Sequence, residues 1–251
     1  MTIVAHVFDT MGTTASIRLA GRTPAAGVLA AVEACFAGYD EQFSLYRADS
    51  EISRVARGAL ALPHTSESFR DMYAEALHWR SATRDSFSPH RPDGVLDLSG
   101  VVKAKAMDAA AALLGEAGLT DWLLNVGGDI VLDGRCAGAL WRVGVVDPDD
   151  RRSLLCTLDL DDGRRGMATS GTSERGEHVW RNSLTPDYRQ VTVVADDIVT
   201  ADVLATAILA GGRERLDEAV DEFGVDVIAV DADGGVVATA RMRHAHGFSP
   251  A

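Results

Sequence analysis

Apolar and polar positions change period several times along the chain. Residues 3–8 and 14–19 alternate or run in β-type residues and flank DTMGT, which predicts a hairpin. Residues 25–39 are Ala-rich with apolar positions at helical spacing, and residues 66–82 and 100–117 carry the same period. A short helix is expected from Ser50, where Ser50-Glu51 resembles a cap. RDSFSPHRPDG reads as a loop from its Pro, Gly and Asp content. The pattern then turns to strands. DWLLNVGGDIVLDG predicts two around a Gly-Gly, followed by strands at 141–146, 153–160, 190–195, 225–230 and 235–240. Two helices are expected among them, at 199–211 and 213–223. Helices and strands mix without regular βαβ alternation, which predicts an α+β fold. No linker or internal repeat divides the chain, so one domain is expected over 1–243, with 244–251 as a frayed tail.

Some polar residues break this pattern. Asp202 and Thr206 lie four positions apart on one face of an otherwise apolar helix. They have two readings. Thr200 could cap the helix, with Asp202 in its first turn and Thr206 bonded back to a carbonyl. Alternatively, a carboxylate and a hydroxyl one turn apart could both face a hard cation such as Mg²⁺. In LDLSGVVKAKAMD (96–108), Asp97 precedes a Ser-Gly turn and Lys103 follows. This fits a helix entry capped by Ser99 with Lys103 solvated, or a ligand lying over the helix start with Lys103 reaching its charge. The Gly-Gly of NVGGDIVLDG admits a ligand against backbone, or marks a bulge or turn. His178, after Thr169, Ser170 and Gly171, is a surface or core residue unless a phosphate lies nearby, when it could take a proton from an attacking hydroxyl. Neither GxGxxG nor GxxxxGK[ST] is present.

Composition narrows the function classes. With 251 residues, a core can form without covalent staples. The formal net charge of −13 argues against a nucleic-acid or anionic-membrane partner, though not against an anionic small ligand whose charge is met locally. Cys35, Cys136 and Cys156 have no CxxC spacing and read as reduced thiols. No apolar run approaches the length of a membrane span, and the simplest location is the cytoplasm.

Taken in order, MGT (11–13), SLYRADSEISRV (44–55), DSFSP (85–89), DLSGVVKAKAMDAAAALL (97–114), LLNVGGDI (123–130), ATSG (168–171), ERGEH (174–178), VTVVA (191–195) and TADVLATAILAGG (200–212) form an ordered set. This set resembles the ApbE family of FAD:protein FMN transferases over nearly the whole chain. The resemblance implies a core related to the T-fold, FAD as substrate and Mg²⁺ at its pyrophosphate. It implies flavin-nucleotide contacts at Met11, Tyr46, Ser86, Phe87, Ser88, Asp97, Lys103, Ser170 and Val179. The implied metal ligands are Asp202, Thr206 and the main-chain carbonyl of Gly100, and the implied base is His178. The implied partner is an acceptor protein whose Thr or Ser hydroxyl receives FMN as AMP leaves. The chain departs from the family pattern at several positions. HVWRNSLTPD lacks the Asp-Pro and Thr-Gly that follow the family's His, Ala104 and Lys105 replace a Gly-Tyr, and Ser88 replaces an Asp. These departures bear on how FAD is covered and how the acceptor docks, and they keep two rival readings open: Mg²⁺-dependent hydrolysis of FAD to FMN and AMP, and FAD binding without turnover.

Overall fold

The computed structural model of the chain describes residues 3–21, 23–160, 163–171 and 187–244. Its first hairpin joins β1 (Ile3–Thr10) to β2 (Thr13–Ala20) through Met11 and Gly12, at φ 47° and 72°. Two successive left-handed residues give the two-residue turn whose twist suits a hairpin. A second hairpin joins β3 (Trp122–Val126) to β4 (Asp129–Asp133) through Gly127 and Gly128, at φ 60° and 104°. The two turns touch, since a Cβ on Gly127 would stand 2.9 Å from the Thr13 hydroxyl. With β7 (Gly166–Gly171), β8 (Tyr188–Ala195), β9 (Asp226–Asp231) and β10 (Val236–Ala238), they form an eight-stranded sheet in the order β1-β2-β3-β4-β7-β8-β9-β10. Every neighbouring pair is antiparallel. β5 (Trp141–Val146) and β6 (Leu154–Leu160) pair with each other in a separate two-stranded sheet.

Both faces of the large sheet are covered. Trp122, Leu124, Val126, Val131, Ala168, Val191 and Val193 join one core with the helices α1 (Ala26–Phe43), α2 (Glu51–Ala56), α3 (Glu67–Ala82), α4 (Ser99–Glu116) and α5 (Ile198–Phe223). The alternate residues Leu123, Ile130, Leu132, Met167 and Val194 join a second core with Trp141, Val143, Val145, Cys156, Leu158 and Leu160 of β5 and β6. A strand buried on both sides has no polar face to show, so runs such as WLLNV and VTVVA are nearly continuous in apolar residues. The edge strand β1 instead alternates exposed and half-buried residues.

The fold is α+β in a single compact domain, as the sequence implies, with four adjustments. α1 runs on to Phe43, a turn beyond the expected end. Residues 166–171, which carry no strand pattern in the sequence, form β7. The helices expected at 199–211 and 213–223 are the two halves of α5, broken at Gly212 (φ 71°, ψ −152°). The last strand is short, and Met242–His244 forms a 3-10 turn, while the rest of the predicted tail lies outside the described residues. The three cysteines are free, and burial pushes the Cys156 thiol up to about 11, which leaves it a poor nucleophile.

Candidate active site

The site forms at the end of the sheet where the β1–β2 and β3–β4 turns lie and where β7 finishes. α5 packs across β7 and β8 and carries Asp202 and Thr206 to it. Asp197 caps this helix: its Oδ1 accepts the Thr200 N–H at 2.8 Å and its Oδ2 the Thr200 hydroxyl at 2.7 Å. Thr200 is therefore the residue being capped, which corrects the capping alternative. It moves Asp202 past the first turn, into the interior. Asp202 is only 6% exposed, so a favourable interaction with the helix dipole at a solvated terminus does not account for it. One turn on, the Thr206 hydroxyl lies 3.1 Å from the Ser170 hydroxyl at the end of β7.

α4 brings the cation. Its first turn is entered from Asp97, whose Oδ1 accepts the Ser99 N–H at 2.9 Å. Leu98 is the cap position and supplies no side-chain bond, so Ser99 does not cap the helix as the sequence allowed. Lys103, one turn further, is not solvated. Its Nζ pairs with Asp129 Oδ2 and stands 3.5 Å from Asp202 Oδ2. Asp129 opens β4 directly after the Gly-Gly turn and is 2% exposed, and its Oδ1 accepts the Thr169 N–H at 3.0 Å. Asp129 is not among the residues the sequence singles out; only the Gly-Gly before it is. The available signal was a carboxylate opening an otherwise apolar DIVL run.

The other predicted residues divide. Phe87 is 3% exposed, and its ring fills the place of a side chain on Gly100: a Cβ there would stand 2.8 Å from Phe87 Cε2. That contact packs Phe87 against the start of α4. Ser86 approaches α5 closely, where a Cβ on Gly211 would stand 2.7 Å from its Oγ. The Ser88 hydroxyl is used locally, accepting the His90 N–H at 3.1 Å. Met11 sits at the tip of the first hairpin and lines an open cavity of about 340 Å³ with Phe8, Glu33 and Asp40. Tyr46 is 90% exposed in the segment after α1. His178 and Val179 lie outside the described residues; the described chain stops at Gly171 and resumes at Asp187 on this same end of the sheet.

Lys103, Asp129, Asp202, Thr206 and Ser170 are thus brought together from two helices and two strands. Among the described residues no group of three or more His, Cys, Asp or Glu side chains forms a metal cage. A buried carboxylate with a hydroxyl one turn away is an oxygen-only donor set, which suits a hard cation. Mg²⁺ in particular binds through one or two carboxylates and takes the rest of its shell from water and phosphate oxygens. The Gly100 carbonyl is less open, because at the second position of a helix it points to the N–H four residues on and offers only its other lone pair. Among the described residues no helix is long and apolar enough to cross a membrane.

Comparison with known proteins identifies the family and the fold. The model of the ApbE family matches residues 11–92 and 88–229. The FAD:protein FMN transferase of Klebsiella pneumoniae (strain 342) is 30% identical over 156 residues, which cover 57% of this chain and 44% of that protein. The FAD:protein FMN transferase of Rhodobacter capsulatus is 31% identical over 160 residues, 59% of this chain and 30% of that protein. The chain therefore spans less than half the length of these relatives. The solved structure of the flavin transferase ApbE from Vibrio cholerae shares the fold, with a TM-score of 0.79 at 22% identity over 98% of both chains.

Proposed function

The chain belongs to the ApbE family, and from that premise we propose that it transfers the FMN moiety of FAD to a Thr or Ser hydroxyl of an acceptor protein and releases AMP. The observation that carries this reading is the buried convergence of Asp202, Lys103 and Asp129 beside the Ser170–Thr206 hydroxyl pair. A bound Mg²⁺ would supply charge neutralisation at the pyrophosphate. Asp202 and Thr206 are the residues that would hold it, with the Gly100 carbonyl as a third donor.

The protein's own groups do the rest. Lys103 presents a positive charge where a pyrophosphate would lie, near the start of α4, and a helix start favours anions. The P–O bond to the AMP phosphate breaks and the acceptor oxygen forms the new bond to the FMN phosphorus. His178 takes the proton of the attacking hydroxyl. Phosphoryl transfer of this kind depends mainly on positioning and charge stabilisation, which a rigid site on helices and strands supplies.

Incubation with FAD and Mg²⁺, with and without a candidate acceptor, tests the reading by following AMP and protein-bound flavin together. Transfer requires both products in equal amount and only when the acceptor is present. The altered stretch after His178 favours a second reading, hydrolysis to FMN and AMP, which would release AMP without bound flavin. FAD binding with no AMP under either condition would exclude both reactions.

A further inference from the structure

Asp129 has no part in the chemistry above, yet it is the most deeply buried charge in the site. We propose that Asp129 is the counter-ion that draws the Lys103 ammonium to its own carboxylate, so that the ion pair of Lys103 with Asp202 stays the longer one and a divalent cation can compete for Asp202. The inference rests on the reading of Asp202 as a metal ligand.

The geometry favours this division of labour. A lysine ammonium is a compact charge on a flexible stem, and from α4 it can reach either carboxylate. It makes its close pair with Asp129, while its ion pair with Asp202 Oδ2 is the longer, at 3.5 Å. An ammonium seated on Asp202 would compete with a cation for the same oxygen, in surroundings where charge interactions are stronger than in water. Asp129 is built not to yield. It follows the Gly127–Gly128 turn at the first position of β4, and the Thr169 N–H fixes its second oxygen at 3.0 Å. Thr169 and Ser170 are consecutive on β7, so one strand fixes both Asp129 and the hydroxyl that meets Thr206. Asp129 is thus a positioning residue acting through Lys103.

The test is cation binding without FAD, read as free Mn²⁺ by electron paramagnetic resonance on the full chain. Asp129→Asn keeps an oxygen for the Thr169 N–H and removes the charge. It should weaken Mn²⁺ binding by about 10–100-fold, the usual effect of losing a group that supports a metal ligand. Adding Lys103→Met to that variant removes the competing ammonium and should restore the wild-type affinity, a coupling that a purely structural role for Asp129 does not produce. Thermal melting of each variant verifies that it is folded. Wild-type Mn²⁺ affinity in Asp129→Asn, or a double variant as weak as the single one, would overturn the proposal. A wild-type chain that binds no Mn²⁺ would instead remove the metal reading itself, and this inference with it.

Discussion

Asp202 is a carboxylate inside an apolar helix, and burying a charge costs several kcal/mol unless something compensates it. Lys103 supplies compensation on one side, and a cation with its phosphate ligand would supply it on the other. Removing the side chain should therefore affect function far more than folding, because Lys103 keeps its pair with Asp129. Asp202→Ala should lower Mg²⁺-dependent AMP release from FAD by at least about 100-fold, more than the loss of a group that only supports a ligand. The melting temperature should change little. Rates measured over a Mg²⁺ series decide it: near-normal turnover at low Mg²⁺ would return Asp202 to a structural role. The Asp202–Thr206 spacing was legible in the sequence because helical period alone puts positions i and i+4 on one face. Asp129 was not. Its partner comes from another element, and a residue opening an apolar strand looks like any strand start until the ion pair is seen.

Two element-level features tie neighbouring segments together. At Gly212 the backbone takes φ 71° and ψ −152°, a region essentially reserved for glycine, and a Cβ there would collide with the Asp187 carboxylate. Asp187 Oδ2 accepts the Arg213 N–H at 2.9 Å and so caps the second half of α5. Gly212→Ala should destabilise the chain by about 1–3 kcal/mol through strain alone; a urea midpoint equal to wild type would show that the break is not required. The two-helix pattern in the sequence was this break seen from one dimension. β7 stayed hidden because GMATSG is poor in the β-branched and aromatic residues that mark strands, and its pairing comes from β4 and β8. The second feature joins α2 to α3. Glu51 accepts from the Ser66 N–H at 2.5 Å, the Ser66 hydroxyl at 2.7 Å and the Gln42 amide at 2.9 Å. Desolvation pushes its carboxyl upward, but these bonds and Arg54 pull it further down, below the usual glutamate value. A lowered folded value means stability present above the unfolded pKa of about 4.3 and lost as pH falls through the folded one. Glu51→Gln should be less stable than wild type near neutrality, and the gap should close on acidification. A gap that stays constant down to acid pH would show that the Glu51 charge adds nothing.

The whole molecule shares one sheet between two cores. Successive residues of β3, β4, β7, β8 and β9 face opposite sides, so a strand cannot leave one core while staying in the other. This was readable only in part. Apolar runs such as VTVVA mark the strands, but which elements cover which face depends on contacts between distant segments, and no local pattern encodes those. The arrangement makes the β5–β6 hairpin part of the site's support although it lies across the sheet from α4 and α5. Trp141 is its largest buried anchor: it is 4% exposed, and its indole N–H donates to the Asp133 carbonyl at 3.1 Å, at the far end of the strand that Asp129 opens. Trp141→Ala should cost about 3–5 kcal/mol, the range for emptying a large aromatic site in a core. Because the sheet is common to both cores, that loss should lower a single transition rather than melt the hairpin alone. Far-UV circular dichroism and tryptophan fluorescence, to which Trp79 and Trp122 of the helix-side core contribute, should change together at the lower midpoint. A loss of circular dichroism that precedes the fluorescence change would make β5–β6 a separate unit and free the site from any dependence on it.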